Sequence, residues 1–343
     1  IRRQRQMCIR DRALVFYNPY DIRLQEVEDP HPSDNWVRIR VKRVGICGTD
    51  KAFYRGTYKP RKPPIILGHE VSGVVDEVGS KEYIDLIGEP VTTEINVYCG
   101  RCWYCRNGMY THCPYRETIG ISIDGGMAEY LLTRADLIHG INGLSWLQGA
   151  FIEPLAAVVE MVMMEPIREY SNIAIVGLGT IGLLAMQVSR LYNPRRIIAV
   201  ARPNTPKERI AYKLGVDKVL TYPEVIKYVK KHTPEGGGFD YVIEASGDTH
   251  GLEIALNIVR PRGVIAAKST HGEYVKLNYT LMVVKEVRVV GSRCGPFDKA
   301  IKLLREGYIK VDDLVTSTYQ LSEGELAFKR SLERSQIKVH ITP

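Results

Sequence analysis

The sequence lacks any uninterrupted apolar run near the roughly 18 residues that a membrane-spanning helix requires, so a membrane role is not indicated. It lacks the apolar block of a secretory signal at its start, which makes the cytoplasm the expected compartment. Nothing in it repeats, and no stretch is low in complexity. Cysteine is scarce, seven in 343 residues, and with no export signal these are expected as reduced thiols that serve metal sites rather than disulfides. Positive charge is in small excess. Five arginines and one aspartate within residues 1–12 account for half of the formal net charge of +8, and the rest is too little to argue for a nucleic-acid partner. Residues 1–12 show no apolar periodicity and are read as a non-native or disordered leader, with a flexible basic arm as the alternative.

The remaining length suffices for two domains of ordinary globular composition. From Ala13 to Val44 short alternating pieces separated by Pro30, Pro32, Ser33 and Asp34 predict β-strands joined by turns. Further strand-like pieces at Ile65-Ile66-Leu67, at 71–78 and at 128–131 make the N-terminal part mostly β.

Within it, Gly45-Ile-Cys-Gly-Thr-Asp50 is followed by Gly68-His69-Glu70. Cys47, His69 and Glu70 offer a thiolate, an imidazole and a carboxylate, three donor types that Zn²⁺ accepts, and a catalytic zinc keeps a further position open. Taken alone, Cys47 would read as a small buried hydrophobe and His69 as a core histidine. The spacing C-x₂-C-x₂-C-x₇-C over Cys99, Cys102, Cys105 and Cys113 is more specific. Four thiolates so close, with Gly100 and Gly108 to turn the loop, suit a closed structural zinc site; an iron–sulfur cluster is the rival. Cys8 and Cys294 receive no role.

The texture changes at Glu153, where Pro154 in a first turn predicts a helix start. Glu153 is a candidate fourth zinc ligand or water partner, or else a carboxylate favoured at a helix N-terminus or on the surface. The stretch Asn172-Ile-Ala-Ile-Val-Gly177-Leu-Gly179-Thr-Ile-Gly182 reads as a buried strand running through G-x-G-x-x-G into an apolar helix. Gly177, Gly179, Thr180, Ile181 and Gly182 are therefore candidates for a dinucleotide pyrophosphate at a helix N-terminus. Strands at 197–201, 218–220, 241–244 and 263–267, alternating with helices at 207–214, 224–231 and 251–259, predict a doubly wound parallel sheet. The second strand ends Ala201-Arg202-Pro203 with no acid for a ribose 2′-hydroxyl, so Arg202 favours NADP over NAD. A helix near 298–306 and a strand near 338–341 close the chain.

Together these motifs resemble the zinc-dependent medium-chain dehydrogenase/reductase family of alcohol, polyol and threonine dehydrogenases. The resemblance implies an α/β chain with a GroES-like, mostly-β catalytic domain over 13–153 and 293–343, its structural zinc lobe at 96–116, and a Rossmann domain over 154–292. It implies two zinc ions per chain. Cys47, His69 and Glu70, completed by Glu153 or water, would hold the catalytic one, and Cys99, Cys102, Cys105 and Cys113 the structural one. Thr49 would take the alcohol proton, while Ser246 and Gly247 would touch the cofactor. A histidine that many relatives place five residues after the ligand cysteine is Ala52 here, which leaves the relay beyond Thr49 to Asp50, Lys51 or water. The implied reaction moves a hydride from a secondary alcohol of polyol or sugar type to NAD(P)⁺ in a homodimer or homotetramer. L-Threonine 3-dehydrogenase, a zinc-free reductase and a non-catalytic cofactor binder are the alternatives.

Overall fold

The computed structural model describes residues 10–203 and 205–343, which fall into two compact units. The first runs to Phe151 and takes in Ser317–Ser331 and Val339–Pro343; the second holds Ile152–Thr316 and Leu332–Lys338.

The first unit begins with a hairpin of β1 (Arg10–Asn18) and β2 (Asp21–Glu28). Strand β1 therefore starts inside the segment read as a leader. Glu129 explains why: its carboxylate pairs with the Arg12 guanidinium at 2.6 Å, and its N–H donates to Asp11. Residues 1–9, including Cys8, lie outside the described residues. Next come β3 (Trp36–Gly45), α1 (Gly48–Arg55), β4 (Ile65–Ile66), β5 (Glu70–Val78), β6 (Pro90–Thr93), α2 (Trp103–Arg106), β7 (Tyr130–Arg134) and β8 (Ile138–Gly140). Strand β3 is the spine. Val37, Ile39 and Val41 alternate into the core as the two-residue strand period requires, and β3 pairs with both β5 and β7.

The second unit opens with α3 (Ile152–Met164) and continues β9 (Asn172–Val176), α4 (Thr180–Arg190), β10 (Arg196–Val200), α5 (Pro206–Lys213), β11 (Lys218–Leu220) and α6 (Tyr222–His232). It is completed by β12 (Phe239–Glu244), α7 (Gly251–Ile258), β13 (Val259–Ala267), α8 (Tyr279–Val284), β14 (Arg288–Gly291) and α9 (Phe297–Arg305). All six strands are parallel, in the order β11-β10-β9-β12-β13-β14. This is the doubly wound dinucleotide-binding topology, whose ligands lie beyond the carboxyl ends of the strands where the strand order reverses. Every residue of the central strand β9 is buried. Residues 293–316, which the sequence reading placed with the β-rich part, belong to this unit. Gly295 sits against α3 so closely that a Cβ there would stand 2.1 Å from the Ala156 carbonyl oxygen.

The chain ends with β15 (Val315–Gln320), α10 (Gly324–Ser331) and β16 (Lys338–Thr342). Through β16 the C-terminus joins β3, with His340 opposite Gly45. No helix among the described residues is long and apolar enough to cross a membrane.

Candidate active site and metal centres

The four-cysteine segment folds on itself through α2 and two glycine turns, with Gly100 and Gly108 at φ +71° and +73°, the left-handed region that glycine enters without strain. The sulfurs of Cys99, Cys102, Cys105 and Cys113 all lie within 4.8 Å of one another, and Cys102 Sγ is 3.5 Å from Cys105 Sγ and 3.8 Å from Cys113 Sγ. A tetrahedral ion with Zn–S bonds of about 2.3 Å sets its ligands roughly 3.8 Å apart, so the spacing fits one ion. The body of an iron–sulfur cluster would push the thiolates further apart. The thiols differ in acidity. Cys99 is drawn down to about 6, first by the Arg101 N–H directed at it, whereas burial and the neighbouring sulfurs of Cys102 and Cys113 push Cys105 up to about 12. A bound dication would make all four thiolates tenable.

Gly45 ends β3 directly opposite Glu70, the first residue of β5, and this register sets the geometry of the other candidate set. The Glu70 side chain folds over Gly45, where a Cβ would stand 2.1 Å from Oε2. Two residues on, Cys47 caps α1, and its N–H donates to the Asp50 carboxylate at 2.8 Å. The other Asp50 oxygen lies 3.9 Å from His69 Nδ1, and both side chains are buried. Thr49 is half-buried in the first turn of α1, and Ala52 is buried in the same helix. Cys47, two residues past Gly45, and His69, one before Glu70, thus lie with Glu70 at one end of the β3–β5 pair. Among the described residues, however, only the four cysteines of the lobe form a group of three or more donors within 4.8 Å. Glu153 begins α3 of the second unit and is buried.

In the second unit the glycine turn divides its work. A Cβ on Gly177 (φ +100°) would meet Ser246 Cα at 2.6 Å, and one on Gly182 would meet the Gly177 carbonyl oxygen at 2.0 Å, so these two glycines permit close backbone packing. Gly179 has nothing within 4 Å of such an atom; it borders open space at the N-terminus of α4, where a pyrophosphate needs room and free N–H groups. Thr180 ties the helix start to the Ile337 carbonyl through a 2.9 Å hydrogen bond, and Ile181 is half-buried beside it. Arg202 is exposed just past the end of β10.

Known families and proteins bear directly on this arrangement. Residues 33–143 match the alcohol dehydrogenase GroES-like domain, and residues 180–306 match the zinc-binding dehydrogenase family. The chain is 35% identical over 320 residues to D-arabitol-phosphate dehydrogenase from Enterococcus avium, covering 91% of each chain. The chain belongs to the zinc-dependent medium-chain dehydrogenase/reductase family. It is also 32% identical to sorbitol dehydrogenase from Halalkalibacterium halodurans, over 93% of this chain and 95% of that one. A zinc-binding dehydrogenase from Sinorhizobium meliloti solved with NADP superposes with a TM-score of 0.88 at 30% identity, covering 97% and 99% of the two chains. As a member of this family the protein is an NAD(P)-dependent alcohol dehydrogenase with a GroES-like domain and a Rossmann domain.

Two ionisable groups held inside the second unit, at the carboxyl ends of its parallel strands, went unnoticed in the sequence. Glu244, buried at the end of β12, gathers three donors, described below. Lys268 follows β13, and its ammonium donates to the carbonyls of Ala157 and Ser292 and to the Ser292 hydroxyl at 2.8–3.0 Å. Burial lowers its pKa to about 8, against the weaker pull of Cys294, Glu153 and Glu160. The only sequence signal for either is an ionisable residue at the carboxyl end of an apolar strand.

Proposed function

We propose that this dehydrogenase oxidises a secondary hydroxyl of a polyol or sugar, prefers NADP to NAD, and carries two zinc ions per chain. The observation that carries the reading is the Gly45–Glu70 register, which brings Cys47, His69 and Glu70 to one end of the β3–β5 pair. The names of the arabitol-phosphate and sorbitol dehydrogenases support the substrate class.

In this reading Cys47, His69 and Glu70, with Glu153 or water, hold the catalytic zinc, and Cys99, Cys102, Cys105 and Cys113 hold the structural one. When bound, the catalytic ion supplies Lewis-acid stabilisation of negative charge on the substrate oxygen. Asp50 fixes the Cys47 main chain and faces His69, so it holds two of the donors in register. The Thr49 hydroxyl takes the alcohol proton. Ala52 offers no group to receive that proton next, so it leaves through Asp50, Lys51 or water. Arg202, just past the end of β10 where no acid stands in the chain, and Lys207, partly buried at the start of α5, favour a 2′-phosphate.

A homo-oligomer belongs to the same proposal. Strand β14 is the edge of the parallel sheet and exposes Val289, and α8 exposes Tyr279, Val283 and Val284, the last at 73%. An apolar strand edge invites pairing, here with a second copy. A reducing cytoplasm suits the described cysteines, all of which are free thiols.

Metal content per chain, measured on protein purified without chelator, tests the core of this. Two zincs, falling to one in Cys47→Ala, are expected, with alcohol-dependent reduction of NADP in a screen of polyols, sugars and threonine. One zinc, unchanged in Cys47→Ala, would sink the catalytic site and leave a zinc-free reductase or a non-catalytic binder. Preference for threonine would move the substrate to the amino-acid branch.

A further inference from the structure

Glu244 is a buried carboxylate, 3% exposed, at the carboxyl end of β12, next to the strand that leads into the glycine turn. Its Oε1 accepts from the Ser246 N–H at 2.9 Å, the Ser246 hydroxyl at 2.6 Å and the Ser269 hydroxyl at 2.9 Å. Each hydroxyl in turn accepts a main-chain N–H: Gly247 N donates to Ser269 Oγ at 2.9 Å and Asp248 N to Ser246 Oγ at 3.1 Å. Three consecutive N–H groups, 246 to 248, are thereby directed to one oxygen, one directly and two through a hydroxyl. Gly247 stands at φ +66° in the middle of this turn. Gly251, at the start of α7, must lack a side chain, because a Cβ there would stand 2.3 Å from Glu244 Oε1 and 2.2 Å from Ser246 Oγ. The Lys268 N–H donates to the Glu244 carbonyl at 2.8 Å, so the loops after β12 and β13 meet at this one residue.

The loop so held packs against the phosphate turn, since Gly177 lies against Ser246 and the Ala245 carbonyl. A loop whose N–H groups all turn inward is no anion nest. Anion binding is left to the turn around Gly179, and the 245–248 loop presents a shaped wall to the uncharged part of the dinucleotide.

We infer that Glu244, through Ser246 and Ser269, is a positioning residue that locks the 245–248 loop in the form that accepts the nicotinamide-ribose half of the cofactor. This rests on the proposed placement of the dinucleotide at Gly177–Gly182 and Ser246–Gly247. A buried charged acceptor that loses its donors is poorly satisfied, so the loop is expected to loosen when any member is removed.

The test is NADPH binding to the full-length protein, followed by fluorescence or calorimetry, alongside thermal unfolding. Ser269→Ala is expected to weaken NADPH roughly tenfold, the order of one hydrogen bond to a charged group. Ser269→Thr, which keeps the hydroxyl, should restore most of the affinity, and Glu244→Gln should match or exceed the Ser269→Ala loss. In Ser269→Ala and Glu244→Gln, binding of ADP-ribose 2′-phosphate, which lacks the nicotinamide ring, should fall less than binding of NADPH. Unchanged NADPH affinity in Ser269→Ala and Glu244→Gln, or a loss of the same size for both ligands that follows the fall in Tm, would overturn the inference. Gly179→Ala separates the two levels: if it weakens NADPH while the Glu244 and Ser269 variants do not, the placement stands and the clamp fails. If it too leaves binding unchanged, the placement itself fails.

Discussion

The Glu70 carboxylate lies over the α-carbon of Gly45, across the β3–β5 pair, where an added methyl group would stand 2.1 Å from Oε2. No side chain other than hydrogen fits there without moving Glu70. Gly45→Ala is therefore expected to displace one donor of the proposed catalytic set while leaving the four-cysteine lobe intact. Elemental analysis should find one zinc lost per chain, and kcat should fall about a hundredfold or more, the scale on which misplaced catalytic groups act. Full zinc content with near-normal kcat would show that Glu70 has no part in the site.

The glycine turn yields a paired prediction, because its glycines serve different needs. Gly182→Ala puts a Cβ 2.0 Å from the Gly177 carbonyl oxygen, a backbone atom that cannot step aside, and should destabilise the protein by about 1–3 kcal/mol. Gly179→Ala meets nothing within 4 Å and should leave Tm almost unchanged while weakening NADPH, because the added methyl occupies the approach of the pyrophosphate. Chemical denaturation and cofactor titration on the two variants check the pair. Equal stability losses would mean that the open space at Gly179 has been misread.

The lobe should behave as a staple rather than a catalyst. Cys105 is buried among the other three sulfurs, and Cys105→Ser is expected to lose the lobe's zinc to a mild chelator. Stability should fall by about 2 kcal/mol, roughly 4–8 °C in Tm for a unit of this size, with activity near normal well below the transition. An immediate loss of activity with unchanged Tm would place the lobe in the reaction.

What could be read from the sequence depended on how local its cause was. Cys99, Cys102, Cys105 and Cys113 lie close in the chain, so their spacing announced their meeting. The strand, glycine turn and helix from Asn172 onward likewise carry their signal in consecutive residues, and the alternating strands and helices that follow fall within a few residues of their observed bounds. Cys47, His69 and Glu70 were recognisable as donor types, but what joins them is the register of two strands separated by 24 residues, which composition does not encode. Ser246, two residues from Glu244, is a local partner, but Ser269, and for Lys268 Ala157 and Ser292, are brought close only by the folded second unit, which left both groups invisible. Strand β14 escaped notice for another reason. It is four residues long and largely exposed, so it lacks the buried apolar run that marks an inner parallel strand.

Lys268 supplies a pH dependence whose sign follows from its surroundings. Burial lowers its pKa from 10.5 to about 8, so between those values the unfolded chain holds a proton that the folded chain has released. The Lys268 contribution to the unfolding free energy then rises with pH through that window, by at most about 3 kcal/mol at 1.36 kcal/mol per pKa unit. Lys268→Met leaves no titrating group at this position, so the variant carries none of this rise. The stability of wild type relative to Lys268→Met, from urea unfolding, should rise steadily as pH is raised from about 8 to 10.5, because only the wild type gains from this group. A constant difference would mean that Lys268 stays charged in the folded state throughout, held by Glu153 and Glu160 more strongly than burial disfavours it.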